Sequence, residues 1–125
     1  MKYSTNAIRR WEANFNIKNL KGIIDSYSPK AVFLGTFAKN IKQGRELIST
    51  YFVNLFKKDG LKVVFEPKIY VNELEDGYII SGIYVFEYKE NGELKKVKSR
   101  YSFTCEYIGG ILYIVNHHSS VVPMQ

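Results

Sequence analysis

The chain has 125 residues, of which 46% are hydrophobic and 15% aromatic, and its formal net charge is +6. This length and composition fit one folded domain over residues 1–125 and exclude a disordered chain. Dispersed lysines argue against a nucleic-acid partner, and the lack of an apolar run of roughly 20 residues argues against a membrane partner. A single cysteine (Cys105) predicts a reducing compartment. The lack of a secretory leader predicts a cytoplasmic location.

The N-terminal residues carry a helical pattern. Ser4 and Thr5 are helix-capping residue types, and an apolar stripe over residues 8–27 predicts a helix with a break near residues 14–19. Pro29 is expected to end this helix, because the residue before a proline avoids the helical region.

A short strand and a second helix are predicted next. Residues 31–37 form an apolar run typical of a strand, and residues 41–44 are turn-like. An amphipathic helix is predicted to begin at Arg45. Its apolar positions are Leu47, Ile48, Tyr51, Phe52, Leu55 and Phe56.

The second half of the chain predicts four long strands joined by tight turns. The strand patterns cover residues 62–72, 78–88, 94–107 and 111–118. The turn sequences between them are Asp76-Gly77, Asn91-Gly92 and Gly109-Gly110. Pro67 marks a bulge or an edge strand.

Because a long sheet coils under its own twist, this order predicts an α+β fold in which N-terminal helices pack over a curved antiparallel sheet and close a cone.

Residues 79–86 are apolar on both faces of their predicted strand, since neighbouring side chains on a strand point to opposite faces. One face is expected to cover the interior of the cone. The other face needs a partner, which predicts a homodimer formed through the sheet.

The last strand ends with the polar run Asn116-His117-His118-Ser119-Ser120. Alternation places His117 and Ser119 on one face and His118 and Ser120 on the other, and which pair faces the cone stays open; all four could simply cap a strand end. A metal site is not expected, because zinc takes three or four Cys, His or carboxylate ligands and these adjacent histidines diverge. No cofactor is expected, since P-loop and dinucleotide motifs are absent.

A second polar cluster lies in the preceding strand. Alternation separates Arg100, Ser102 and Thr104 from Tyr101, Phe103 and Cys105. An arginine here reaches solvent, pairs with Glu87 or Glu106, or binds an anion, because a buried guanidinium without a partner is costly.

Thr36 and Tyr51 carry hydroxyls in apolar segments, where a satisfied core hydroxyl is the ordinary outcome.

Several stretches follow one another in an order typical of one protein group. They are Trp11, residues 31–36, Tyr51-Phe52, residues 82–86, residues 100–103 and the ending His117-His118-Ser119-Ser120 with Pro123. Together they resemble the association-domain-like branch of the nuclear transport factor 2-like superfamily, which includes the association domain of calcium/calmodulin-dependent protein kinase II. The resemblance implies the same cone-shaped fold. The His-His-Ser-Ser ending is also similar to that of the iota-class carbonic anhydrases, which work without a metal.

The resemblance to these enzymes implies reversible hydration of carbon dioxide to bicarbonate inside the cone, with a neutral histidine accepting a proton from water. The implied catalytic residues are Thr36, Tyr51, His117 and Ser119. The implied substrate-binding residues are Tyr84, Arg100, Ser102, His118 and Ser120. The alternative is a non-catalytic homo-oligomeric association module that binds a small carboxylate. A ketosteroid-isomerase-like reaction is not favoured, because these motifs contain no carboxylate base.

Overall fold

The computed structural model describes residues 6–124, so the predicted helix caps Ser4 and Thr5 lie outside the described residues. The helices are α1 (Asn6–Asn16), α2 (Leu20–Asp25) and α3 (Arg45–Leu55). The strands are β1 (Tyr27–Leu34), β2 (Lys42–Gln43), β3 (Asp59–Leu74), β4 (Gly77–Glu90), β5 (Glu93–Ile108) and β6 (Ile111–Val121). Within residues 6–124 no helix is long and apolar enough to cross a membrane.

The N-terminal helical pattern breaks where the sequence predicts a break. α1 ends at Asn16, and Lys18 adopts the left-handed conformation with φ of 57°. The Asn19 side chain then caps α2 by accepting a hydrogen bond from the Gly22 N–H at 3.2 Å. The predicted break at residues 14–19 is therefore confirmed, and the asparagine cap is what restarts the helix.

The predicted end of this helical segment at Pro29 is wrong. α2 ends at Asp25, and Tyr27 already belongs to β1, which contains Pro29. The strand tolerates the proline because the pairing of β1 with β6 is interrupted between Tyr27 and Val32. Pro29 has no backbone N–H, but because β1 and β6 are not paired at this point, no hydrogen bond to β6 is lost.

β1 begins and ends earlier in the chain than predicted, and it pairs with a strand from the far end of the chain. It ends at Leu34 instead of residue 37, and the predicted turn at residues 41–44 holds β2, which pairs with β1 antiparallel. On its other side β1 runs parallel to β6, with Leu34 beside His118. The predicted antiparallel arrangement is correct for the other neighbouring pairs of the described sheet.

The longer strands follow the predicted order. The sheet runs β2-β1-β6-β5-β4-β3. Asn91 and Gly92 have φ of 54° and 79°, as a tight hairpin turn between β4 and β5 requires. The pairing of edge strand β3 with β4 is irregular between Phe65 and Ile69, around Pro67, which confirms the predicted bulge.

Aromatic rings fill the space between the helices and the inner face of the sheet. Trp11 lies at their centre, with ring-centroid distances of 5.1–6.3 Å to its neighbours. Those neighbours are Phe15, Phe52, Phe65, Tyr84, Phe103 and His117. The predicted stripe of α3 is buried at Ile48, Tyr51, Phe52 and Leu55. Leu47, by contrast, is 48% exposed. The predicted α+β cone is confirmed, and its interior is densely packed.

Phe52 and Val53 are adjacent on α3 but differ in exposure, 1% against 41%. Phe52→Ala is expected to lower the free energy of unfolding by about 3–5 kcal/mol, because a buried ring is lost and a cavity remains. Val53→Ala is the control and is expected to change it by less than about 0.5 kcal/mol. Urea unfolding followed by circular dichroism measures both values, and equal losses in the two variants would contradict the packing.

Candidate functional site

A series of hydrogen bonds crosses the aromatic interior, and His117 lies at its centre. The His117 side chain is buried, and both of its ring nitrogens have a partner. Nδ1 lies 2.8 Å from the Tyr27 hydroxyl oxygen, and Nε2 lies 3.0 Å from the Tyr84 hydroxyl oxygen. The Trp11 indole N–H donates to the Tyr27 hydroxyl at 3.0 Å. Residues of α1, β1, β4 and β6 are thus joined through one imidazole.

The tryptophan sets the direction of these hydrogen bonds. An indole N–H can only donate, so the Tyr27 oxygen accepts from Trp11. The buried Tyr27 proton also needs an acceptor, and we assign it to His117 Nδ1, the other group hydrogen-bonded to this hydroxyl. The neutral imidazole consequently carries its own proton on Nε2 and donates it to the Tyr84 hydroxyl.

Hydroxyl groups continue the series from Tyr84. The Tyr84 hydroxyl is hydrogen-bonded to Ser119, and Ser119 Oγ contacts Thr36 Oγ1. Thr36 Oγ1 donates to Ser99 Oγ at 3.1 Å. Thr36 thereby connects Ser119 with Ser99. We call the whole series the buried hydrogen-bond chain, formed by Trp11, Tyr27, His117, Tyr84, Ser119, Thr36 and Ser99.

The His117 imidazole is held neutral. Burial lowers its pKa to about 3, and the nearby His118 acts in the same direction. A second proton would have to bind Nδ1, where the Tyr27 proton already lies, and Tyr27 would then lose its acceptor. Because His117 is only 1% exposed, the expected transfer of a proton from water to this ring has no path in this arrangement.

The interior of the cone has no room for a ligand. The space bordered by Tyr51, Tyr84, His117 and Ser119 contains no void that admits a water molecule. Trp11 and the phenylalanines around it occupy that space. The expectation of a bicarbonate bound inside the cone therefore does not fit this packing.

Four of the expected substrate-binding residues lie on the outer face of the sheet. They are Arg100, Ser102, His118 and Ser120, which alternate with buried Tyr101, Phe103, His117 and Ser119. The predicted alternation is confirmed, and the question left open by the sequence is answered: His117 and Ser119 face the interior. Arg100, which the resemblance places in the cone, instead points outward from its strand. Arg100 Nη2 donates to Ser120 Oγ at 3.2 Å, while Glu87 lies near Lys62 and Lys96 instead.

Tyr51 separates the packed interior from a second, open cavity of about 430 Å³. We call this the mouth cavity; its walls are residues 37–40, Lys42 and one side of α3 with the turn that follows. The Tyr51 hydroxyl accepts from the Phe37 N–H at 3.3 Å, and burial raises the Tyr51 pKa, so the hydroxyl stays protonated. Gly35 allows this approach, because a Cβ there would come within 2.6 Å of the Tyr51 ring.

Sequence reasoning missed Tyr27 and Ser99. The sequence places Tyr27 on a helical stripe, whereas its hydroxyl pairs with a histidine 90 residues away. Ser99 stands in a polar stretch, and the alternation that turns Tyr101 inward is the signal that could have found it. Among residues 6–124, no three His, Cys, Asp or Glu side chains come together in a way that could hold a metal ion.

The model of the calcium/calmodulin dependent protein kinase II association domain family matches residues 5–123. A structure from Xanthomonas campestris named for this association domain has a TM-score of 0.84 and 32% identity, and the match covers 94% of this chain and 84% of that chain. The chain therefore belongs to the calcium/calmodulin dependent protein kinase II association domain family, which confirms that part of the resemblance. No curated protein matches the sequence significantly.

The same fold recurs in more distant structures. A ketosteroid isomerase-like protein from Erwinia carotovora atroseptica has a TM-score of 0.80 at 15% identity, covering 95% of this chain and 93% of that chain. A protein from Streptomyces avermitilis, named as a dehydratase of the NTF2-like family, has a TM-score of 0.81 at 9% identity, covering 95% and 94%. At these identities the likeness shows the nuclear transport factor 2-like fold. The similarity to the iota-class carbonic anhydrases stays a prediction.

The depressed pKa of His117 predicts that the fold loses stability in mild acid. The unfolded chain binds a proton near the ordinary histidine value of 6.5, whereas the folded chain does so only at about 3. The contribution of His117 is therefore complete above pH 6.5, and the free energy of unfolding falls as the pH drops below that value, by at most about 1.4 kcal/mol per pH unit.

Denaturant unfolding between about pH 7 and pH 5, where most carboxylates stay ionised, measures this slope. His117→Gln retains a donor and an acceptor but does not titrate, so its slope should be much flatter. His118→Gln is the matched control, because His118 is exposed and this variant keeps His117, so the loss of stability in mild acid should remain. An unchanged slope in His117→Gln would show that another group causes the effect.

Proposed function

We propose that this member of the association domain family is a homo-oligomeric association module whose protomers pair through the outer face of the sheet. The observation that carries the proposal is an apolar stripe on that face, formed by the partly exposed Ile79, Ile83 and Val85 of β4. Val64 and Tyr70 of the adjacent β3 extend it, and they are 44% and 60% exposed. The stripe is the second apolar face of the strand, opposite the face that covers the aromatic interior.

Polar groups border the outer-face stripe on the side of β5 and β6. Ile83 pairs with Arg100 in the ladder, and Arg100 pairs with Ser120. In the next row Ser81, which lies between Ile79 and Ile83 on the same face of β4, has its hydroxyl oxygen 2.7 Å from that of Ser102. An apolar centre with a polar rim is typical of protein interfaces. A two-fold axis through such a face would bring the stripes of two copies together.

The packed interior also favours association over catalysis. A catalytic site needs space for a substrate and a group that exchanges protons with it. Here aromatic rings fill the space, and His117 is neutral with both nitrogens engaged. A rigid interior suits an association surface, because a preorganised surface loses less conformational entropy on binding.

Hydration of carbon dioxide is the second candidate function. The observation that favours it is the meeting of the Thr36 and Ser119 hydroxyls, with the Tyr51 side chain on the wall of the mouth cavity. In this reaction a water oxygen bonds to the carbon, a buffer base from solution takes the water proton, and hydroxyl donors stabilise the negative charge that develops on oxygen. Because the interior is filled, the substrate would approach this pair from a separate surface cavity of about 300 Å³, which is lined by Thr36, His118, Ser119 and Ser120.

The association proposal predicts that Ile83→Lys converts the oligomer into monomers, because a charge would be placed in the apolar centre of the contact. Ile111→Lys is the matched control, since Ile111 is 57% exposed and begins β6 at the β5–β6 turn, away from the stripe. Light scattering at micromolar concentration measures the mass, and circular dichroism checks that both variants fold. A monomeric wild type, or equal dissociation of the two variants, would refute the proposal.

A pH-indicator assay of carbon dioxide hydration, with a chelator present, tests the second candidate. If association is the function, the wild type should show no rate above buffer. If hydration occurs, Thr36→Val should lower the rate by about a hundredfold through loss of one preorganised donor. Thr104→Val is the control, because Thr104 lies on the outer face. A wild-type rate that falls in Thr36→Val but not in Thr104→Val would establish the hydratase.

A further inference from the structure

We propose that the mouth cavity is a binding site for a small phosphate-bearing anion. Its volume of about 430 Å³ lies within the range of small-molecule sites. Unlike the packed interior, it is open to the surface, so a ligand can enter without displacing aromatic rings. The association of protomers through the sheet does not use this cavity, so the site adds a ligand to the proposed function.

Positive charge in the mouth cavity is not neutralised by the protein. Lys39, Lys42 and Lys58 line the cavity, and no lining residue carries a carboxylate. Within residues 6–124 none of the three ammonium groups has a carboxylate oxygen within 4.0 Å. Lysines on the sheet behave differently: Lys62 and Lys98, for example, form ion pairs with glutamates at 3.7 and 3.4 Å. The three cavity lysines are therefore available to an anion from solution.

Lys58 is held in place without losing its charge. Its Nζ atom lies 4.3 Å from the ring centroid of Tyr88 and 5.3 Å from that of Phe37. Such contacts orient an ammonium group and shield one side of it from water, but they leave its positive charge unpaired. Less conformational freedom is then lost when an anion binds the exposed side of Lys58.

Neutral polar side chains lie beside the lysines. Thr50 and Asn54 are four residues apart on α3, so their side chains share one face of the helix, and both line the cavity. The Asn54 amide can donate hydrogen bonds to anionic oxygens, whereas the Thr50 hydroxyl already donates to the Glu46 carbonyl at 3.2 Å. The C-terminal end of the α3 dipole is negative and opposes an anion. Affinity must therefore come from the ammonium groups and should fall as salt is added.

The donor set indicates phosphate rather than a single carboxylate. No arginine lines the cavity, and arginine is the residue whose planar fork matches a carboxylate in two parallel hydrogen bonds. Lysine acts as a point charge and is well suited to phosphate. A phosphate group near neutral pH carries up to two negative charges and presents several oxygens, so it can contact more than one of the three lysines at once.

Titration calorimetry of the full chain in a low-salt buffer without phosphate tests the site, with pyrophosphate, inorganic phosphate and acetate as probes. Pyrophosphate should bind most tightly, phosphate more weakly and acetate not measurably, and added salt should weaken binding. Acetate binding as tight as phosphate would refute the assignment to phosphate. No binding of pyrophosphate at low salt would refute the site itself.

Charge variants locate the binding. Lys58→Gln should weaken pyrophosphate binding about tenfold or more, because a charge-assisted hydrogen bond is lost. Lys58→Arg, which keeps the charge, should retain most of the affinity. Lys57→Gln is the matched control, because Lys57 is exposed in the same turn and does not line the cavity. Equal weakening in Lys57→Gln and Lys58→Gln would overturn the proposal.

Two further variants separate this proposal from other effects. Lys42→Gln should also weaken binding, and it leaves the aromatic contacts of Lys58 in place if Lys58→Gln fails to fold. Ile83→Lys should bind pyrophosphate as the wild type does, because the outer-face stripe and the mouth cavity share no residues. The experiments can therefore refute the anion site and the association surface independently of each other. Unchanged affinity in both Lys42→Gln and Lys58→Gln would refute the site.

Discussion

His117 is a polar ring enclosed by aromatic side chains, with the Phe103 ring stacked on it at a centroid distance of 3.9 Å. Each of its nitrogens has to be satisfied inside the protein, because an unpartnered buried polar group costs about 1–3 kcal/mol. Tyr27 and Tyr84 supply the partners, and the Trp11 indole N–H donates to the Tyr27 hydroxyl. A single imidazole therefore constrains the relative positions of one helix and three strands.

The same constraint reaches the surface at the segment between β1 and α3. Thr36 anchors that segment to Ser119 and Ser99 at one end of the buried hydrogen-bond chain. The next residue, Phe37, donates its N–H to Tyr51 and packs its ring near Lys58. The wall of the mouth cavity is thus held by contacts that begin in the interior, although the cavity itself is open to solvent.

Filling the cone with aromatic rings decides where this protein can act. An interior without space and with a neutral histidine contributes stability, and it leaves two surfaces with unused chemistry. One is the outer-face stripe around Ile83, whose apolar side chains would be buried against a second copy in the proposed oligomer. The other is the mouth cavity, whose lysines gain from an anion. Because these surfaces share no residues, association and ligand binding can be assigned and tested separately.

Patterns between near neighbours in the sequence were sufficient to predict much of this fold. Alternation correctly separates His117 and Ser119 from His118 and Ser120, and Asn91-Gly92 correctly marks a hairpin, because both signals depend only on adjacent residues. The order of the motifs was also sufficient to recognise the family. The pairing of Tyr27 with His117, 90 residues away, depends instead on the parallel contact of β1 with β6. Packing between distant segments decides which face of a strand is turned inward and whether the aromatic rings leave a void there. No local pattern in the sequence encodes that packing.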